Sequence, residues 1–242
     1  MEETIYDRNS FQKFLKIDTL SSSIPDETTI LNFRHLLEEN KIQEKFFSII
    51  NTLLKEKGLL FKEGTIVDAT IISSSSSTKN KDKKRDKEMK STKKGNNWYF
   101  GMKAHIGVDA RSGLVHSFKS TSANIADISV IDNLFHGKEK AILGDKAYGK
   151  IEDKVKARQE GIFYGILDKA RIGKKLSNKQ KKRNKKLSSI RAKVEHPFQI
   201  LKCQWNYKKT RYKGIHKNSM NLYTLFSLVN IYMVRKKLIQ QT

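Results

Sequence analysis

Apolar side chains recur at Ile30, Phe33, Leu36 and Leu37, and again at Ile42, Phe46, Ile49, Ile50, Leu53 and Leu54. Both series keep the three-to-four spacing that gathers side chains on one face of a helix. Asp26 or Ser23, with Pro25 between them, supplies a start signal, and Gly58 a stop. The first sixty residues therefore read as helical. Two amphipathic helices with a tight connection fit a helix-turn-helix reader or a hairpin packed on a core. The second helix lacks a basic cluster, which favours packing.

At residue 65 the period changes. TIVDATII is a short β-branched apolar run between Gly64 and a serine tract, the pattern of a buried strand. The polar tract that follows cannot bury enough apolar surface to fold alone. WYFGMKAHIGVDA and GLVHSFKSTSA then predict two strands of a hairpin turning through Asp109–Gly113. Residues 125–135 read as helix, AILGDKAYG as a strand ending near Gly144–Asp145, and 151–159 as a short helix. The lysine-dense stretch 169–187 reads as a loop or fraying helix. From Ser188 onward helical spacing dominates, most clearly at Leu222, Leu225, Phe226, Val229 and Val234. This order predicts a mixed α/β core with helices on its faces. The expected division is a helical N-terminal segment, 1–60, and a core, 61–238, carrying basic loops at 73–97 and 169–187.

Charge changes the picture. The 242 residues include 49 Lys or Arg against 25 Asp or Glu, a formal charge of +24. Lysine enrichment follows from an AT-rich coding sequence, but a twofold excess of base over acid does not. Such a surface attracts polyanions, so nucleic acid is the expected partner. Cys203 is the single cysteine, which excludes an intrachain disulfide framework and fits a reducing cytoplasm. No secretory signal or membrane-length apolar run is present, so no membrane partner is expected.

The candidate chemistry lies in three acids. Asp68 sits inside an apolar strand, where a carboxylate is costly unless paired or metal-bound. Asp145 ends another strand. Glu195 is the one acid between Lys169 and Lys217, among eighteen Lys or Arg. Converging, three carboxylates would require a cation, and Mg²⁺ prefers such oxygen donors. A pair of such ions ~4 Å apart can promote attack at a phosphodiester. Taken singly, Asp68 also fits a buried salt bridge and Asp145 a turn or helix cap. Arg191 and Glu195 are four apart, with Lys202 two turns beyond, so the set also fits an ordinary helix-surface ion pair. Pro197 requires either a bend or a new helix start.

GTIVDATII, NNWYFGMKAHIGVDARSGLVHS, TSANIADI, LGDKAYG and RAKVEHPFQILK, in this order, resemble the DDE transposases of bacterial insertion sequences, in particular insertion-sequence family five. The boxes span roughly residues 60–230. The resemblance implies a ribonuclease H-like core, a mixed sheet flanked by helices, with a helical N-terminal segment. It implies two Mg²⁺ ions, with Mn²⁺ as substitute, held by Asp68, Asp145 and Glu195 as catalytic and metal-binding residues. It further implies cleavage and strand transfer of double-stranded DNA at element ends and target, by a homodimer or higher multimer in the bacterial cytoplasm, at the nucleoid when bound. Of the related signature Tyr-x2-Arg-x3-Glu-x6-Lys, this sequence has Arg191, Glu195 and Lys202, but Ser188 in place of tyrosine. Arg191 and Lys202 are expected on phosphates, as are Lys84, Arg85, Lys93 and Lys94 of the first basic tract. Lys182 and Arg183 of the second, and Lys209 and Arg211 beyond it, complete the expected DNA-binding set. Members of that family usually carry residues before the segment matching MEETIYD. The alternative is therefore a truncated remnant that binds DNA as a repressor without chemistry, and a third reading is a structure-specific nuclease.

Other signals are weaker. GDKAYGK, 144–150, resembles a P-loop but has Ile151 where the magnesium-binding hydroxyl belongs. The histidines show no zinc spacing; His105 and His116 read as sheet residues and His196 as a helix-surface one. Trp98 is a possible base-stacking residue, although packing at a strand start is the commoner role. Trp205 and Cys203 read as core. Asn124 and Asp127 belong to a family box without a derivable role.

Overall fold

The computed structural model describes residues 2–18, 23–79, 81, 83–170, 173 and 175–240. The parts of the two basic tracts at 80, 82, 171, 172 and 174 lie outside the described residues. The chain forms two compact units, Met1–Lys45 and Phe46–Thr242.

The first unit is helical, as its apolar spacing predicts. α1 (Glu2–Asp7) and α2 (Asn9–Leu15) are tied by the Gln12 side-chain amide, which donates to the carbonyls of Ile5 and Tyr6. α3 (Glu27–Glu39) starts at Asp26, whose carboxylate accepts the Thr29 N–H at 2.7 Å. α4 (Ile42–Glu56) begins at the end of this unit. It stops ahead of Gly58, which adopts the left-handed conformation the stop signal requires (φ 65°). The predicted stripes are present, yet Phe33, Leu36, Ile49 and Leu53 remain exposed.

The second unit is built on a six-stranded sheet. β1 (Gly64–Ser73) is central because its run GTIVDATII offers apolar side chains to both faces. It pairs antiparallel with β3 (Asn97–Asp109) and parallel with β5 (Ala141–Gly144). β4 (Val115–Ser122) forms the expected hairpin with β3, whose turn is fixed by Asp109 accepting from Ser112 N–H and by Gly113 at φ 80°. β6 (Phe163–Ile166) adds parallel to β5 after α5 (Ile151–Gln159). The path β4-β3-β1-β5-β6, with three antiparallel strands followed by two parallel additions and helices on the faces, is consistent with a ribonuclease H-like fold.

On one face, Ile66, Ile72, Met102 and Ile106 pack with Leu187, Val194, Leu201, Leu222 and Phe226. These last five come from α6 (Asn178–Arg191), the 3-10 turn Ala192–Val194, the π-helical turn Ile200–Gln204, and α8 (Ile215–Gln240). On the other, Val67, Ile142 and Ile166 pack with Ile131, Leu134 and Tyr148.

Several sequence expectations need correction. The tract 73–97 is not loop throughout: β2 (Lys90–Lys94) pairs with the first part of β3, in line with β4. The second half of 169–187 is helix, opened by a capping box between Ser177 and Gln180. The helical reading of 125–135 takes the form of a 3-10 helix, Asp127–Leu134. Cys203 is exposed, not core. Pro197 is the third residue of a new segment, α7 (Glu195–Gln199), entered through the 3-10 turn Ala192–Val194, which is the new helix start among its two expected outcomes.

Candidate active site

β1 and β5 run side by side as far as Val67 opposite Gly144. The next residue on each is an acid, Asp68 and Asp145. Each uses one oxygen locally: Asp68 Oδ1 accepts the Ala69 N–H at 2.8 Å, and Asp145 Oδ1 accepts the Lys146 N–H at 2.7 Å as cap of the 3-10 turn Lys146–Tyr148. Strand alternation puts Asp68 on the Ile66 face, the face covered by α6 and α8. Burial pushes the Asp68 carboxyl above its ordinary range and nearby Asp145 adds to the push, against the Ala69 N–H and Arg191.

Arg191 ends α6 and Glu195 opens α7, with the turn Ala192–Val194 carrying one helical path between them. The guanidinium spans two of the three acids. Its Nη1 lies 3.1 Å from Asp68 Oδ2, and its Nη2 lies 3.7 Å from Glu195 Oε1. The side chains of Arg191 and Asp68 are 22% and 24% exposed, while Glu195 is 64% exposed. The first contact is thus partly desolvated and the second is near solvent. Lys202 Nζ donates to the Ile71 carbonyl of β1 at 2.6 Å. Burial lowers its pKa, and Lys94 does so further. Lys94 also acts on Asp68, so one expected phosphate-binding lysine is within electrostatic range of a carboxylate of the site. Lys209 forms a parallel bridge with Ser73 at the end of β1, which brings Lys209 and Arg211 to the same end of the strand.

The remaining expected residues divide. Lys93, Lys94 and Trp98 share the β2–β3 hairpin, where Lys93 pairs with Trp98. Trp98 is 70% exposed, so it does not pack at the strand start and its ring is open to a partner. Lys84 and Arg85 line a cleft of about 640 Å³ with Lys87, Lys213 and Lys217. Lys182 is exposed on α6. Arg183 instead serves the fold. It bonds Asp168 at 3.0 Å and donates to the carbonyls of Tyr164 and Ile166, covering the free edge of β6.

Sequence reasoning missed the group behind the acids. Asp127 accepts from Lys103 Nζ at 2.8 Å and lies 3.9 Å from His105 Nδ1. Tyr148 is buried and its hydroxyl has no hydrogen-bond partner among the described residues. Burial raises its pKa strongly, and Asp127, Asp68 and Asp145 raise it further, so the phenol remains a protonated donor. The boxes TSANIADI and LGDKAYG contained both residues, but no spacing rule joined them.

Among the described residues, no three His, Cys, Asp or Glu side chains are gathered tightly enough to hold a metal ion. The donor chemistry nevertheless fits a hard divalent cation: three carboxylates, with a guanidinium occupying the position of positive charge between two of them. A family model described as a transposase DDE domain matches residues 59–231. No solved structure matches the chain.

Proposed function

The chain belongs to the transposase DDE-domain family, and from that premise we propose that it cuts and joins DNA at the ends of an insertion sequence of family five. DDE transposase domains generally use divalent metal ions, and DNA is their partner. The observation that carries the reading is the placement of Asp68 and Asp145 directly after the last paired residues of two adjacent parallel strands, with Arg191 linking Asp68 to Glu195.

Asp68, Asp145 and Glu195 would hold two Mg²⁺ or Mn²⁺ ions. When bound, these supply charge stabilisation at a phosphodiester and activation of a water or 3′-hydroxyl. Asp68, next to Asp145 and reached from Glu195 through Arg191, would serve both ions. The protein's own part is orientation. Ala69 and Lys146 N–H groups each fix one carboxylate oxygen, and the second oxygen of Asp68 is held by Arg191 in the DNA-free chain. Lys94 acts on Asp68, and Lys202 and Lys209 meet the last part of β1; with Arg211 they would grip the DNA backbone that delivers the scissile phosphate. Residues 1–60 form a helical segment and residues 61–238 the catalytic core, and two or more copies bring two DNA ends together in the bacterial cytoplasm.

The test uses a duplex carrying the inverted repeats that flank the reading frame, with Mg²⁺ or Mn²⁺. Asp68→Asn, Asp145→Asn and Glu195→Gln should each lower cleavage by about 10³-fold or more, the scale of losing an essential electrostatic group, while DNA binding persists. Normal cleavage by any one variant removes that residue from the site. Nicking without joining would identify a nuclease, and binding without nicking a repressor.

A further inference from the structure

We propose that Arg191 is the internal counter-ion of the carboxylate site, holding Asp68 and Glu195 in the DNA-free chain and releasing them when a DNA phosphate takes its guanidinium. This rests on the assignment of Asp68 and Glu195 as metal-binding residues.

Three observations carry it. The first is position. Arg191 reaches across 123 residues of sequence to Asp68 on the central strand as well as one helical turn to Glu195, so it bridges two acids of the site. A plain helix-surface pair would engage Glu195 alone. The second is incomplete satisfaction. Arg191 Nε is buried with no hydrogen-bond partner among the described residues, so the guanidinium is not fully served by the two carboxylates. A phosphate offers several anionic oxygens to the planar fork of an arginine, which matches that geometry better. The third is setting. Lys94 lies in electrostatic range of both Asp68 and Lys202, so a phosphate backbone is drawn to this edge of the site.

Like charges then couple the two ligands. A divalent cation on Asp68 would stand beside a guanidinium 3.1 Å from the same carboxylate, and the two repel in this partly desolvated place. Metal entry therefore requires Arg191 to leave, and a phosphate gives it somewhere to go. Because coupling between two ligands is reciprocal, DNA tightens metal binding and metal tightens DNA binding by the same factor. The chain is kept from loading metal fully until DNA is in place. Arg191 acts here as a positioning residue, through the acids.

The experiment measures Mn²⁺ binding to the full chain from the electron paramagnetic resonance signal of free Mn²⁺. A short mixed-sequence DNA duplex is present or absent, and Mn²⁺ bound by the duplex alone is subtracted. For the native chain, DNA should tighten Mn²⁺ binding by about tenfold or more, within the usual range of coupling. Arg191→Met should bind Mn²⁺ about tenfold more tightly without DNA and gain little when DNA is added. Arg191→Lys, which keeps the charge, should retain weak DNA-free binding; this variant also guards against a folding defect in Arg191→Met. DNA-free affinity in Arg191→Met equal to native, or native affinity indifferent to DNA, overturns the proposal. Asp68→Asn separates the causes. If it abolishes Mn²⁺ binding while Arg191→Met changes nothing, the counter-ion role alone fails. If neither variant changes Mn²⁺ binding, the site assignment fails with it.

Discussion

A single proton decides the state of His116. Thr65 has one hydroxyl hydrogen, and it donates to Glu139 Oε1 at 3.3 Å. Its oxygen must then accept from His116 Nε2, 3.1 Å away, which leaves Nδ1 bare to accept from the Ser117 hydroxyl at 2.7 Å. The ring is thus built in as neutral. Burial first, and then His136, press its pKa down to about 3; burial brings His105 down to about 4 despite Asp127. Both folded values lie below the ordinary histidine value of 6.5. As pH falls through 6.5 the unfolded chain takes up protons that the folded chain refuses, so stability is lost across the window from 6.5 down toward 4. Urea unfolding between pH 7 and pH 5 should show this loss at up to ~1.4 kcal/mol per pH unit for each histidine. His116→Gln should flatten the slope by one histidine's share, even if it is less stable at pH 7. An unchanged slope would remove His116 from the account. The strand location of these histidines was legible from the sequence. Glu139 and Asp127 were not, because they come from elsewhere in the chain.

At the scale of elements, the basic tract 73–97 shows how a few acids organise a charged segment. Asp86 Oδ2 accepts the Gly214 N–H at 2.6 Å, and Glu88 Oε2 accepts the Ile215 N–H at 2.7 Å. These N–H groups stand at the start of α8, where acceptors are missing and negative charge is favoured. The tract is thereby pinned to α8, and Met89, next to these two acids, is buried. Glu88→Gln combined with Asp86→Asn should cost about 1–2 kcal/mol in unfolding free energy and raise protease cleavage within 74–88. No increase in cleavage would mean that the tract is held by something else. Hydrophobic spacing could not announce this arrangement, which depends on two acids and a distant helix start. α6 was hidden for a related reason: of its fourteen residues only Leu187 is buried, so it presents no apolar stripe. β6, four residues long, is shorter than any window in which alternation can be counted. β1, β3 and β4 were legible because their own side chains meet the core or their own turns. Asp68, Asp145 and Glu195 stood out as acids in apolar or basic surroundings, a signal that Asp127 and Tyr148 lacked.

Across the second unit, positive charge collects on several separate surfaces. The cleft of Lys84, Arg85, Lys87, Lys213 and Lys217 contains Asp86 and Glu88, and both acids are engaged at the start of α8. A second cleft, about 390 Å³, gathers Lys146, Lys150, Lys154 and Lys169, with Asp168 and Arg183 in its wall. The β2–β3 hairpin carries Lys93, Lys94 and the open ring of Trp98. Charge and stacking predict different behaviour for this hairpin. Each phosphate neutralised by a lysine releases counterions, so Lys93→Gln combined with Lys94→Gln should reduce the slope of log affinity against log salt by about 2 on duplex DNA. Trp98→Ala leaves the charges in place and should keep that slope. It should instead weaken binding to DNA with unpaired bases by about 1–3 kcal/mol, the worth of one base stacked on an aromatic ring. Fluorescence anisotropy over a salt series, on duplex and on duplex with an unpaired tail, separates the two effects. A full salt slope in the double lysine variant would take the hairpin off the DNA altogether. Equal loss on both substrates in Trp98→Ala would mean that the ring packs against the backbone rather than reading an opened strand. If both effects appear as stated, the hairpin holds duplex DNA through its lysines and an unpaired strand through Trp98.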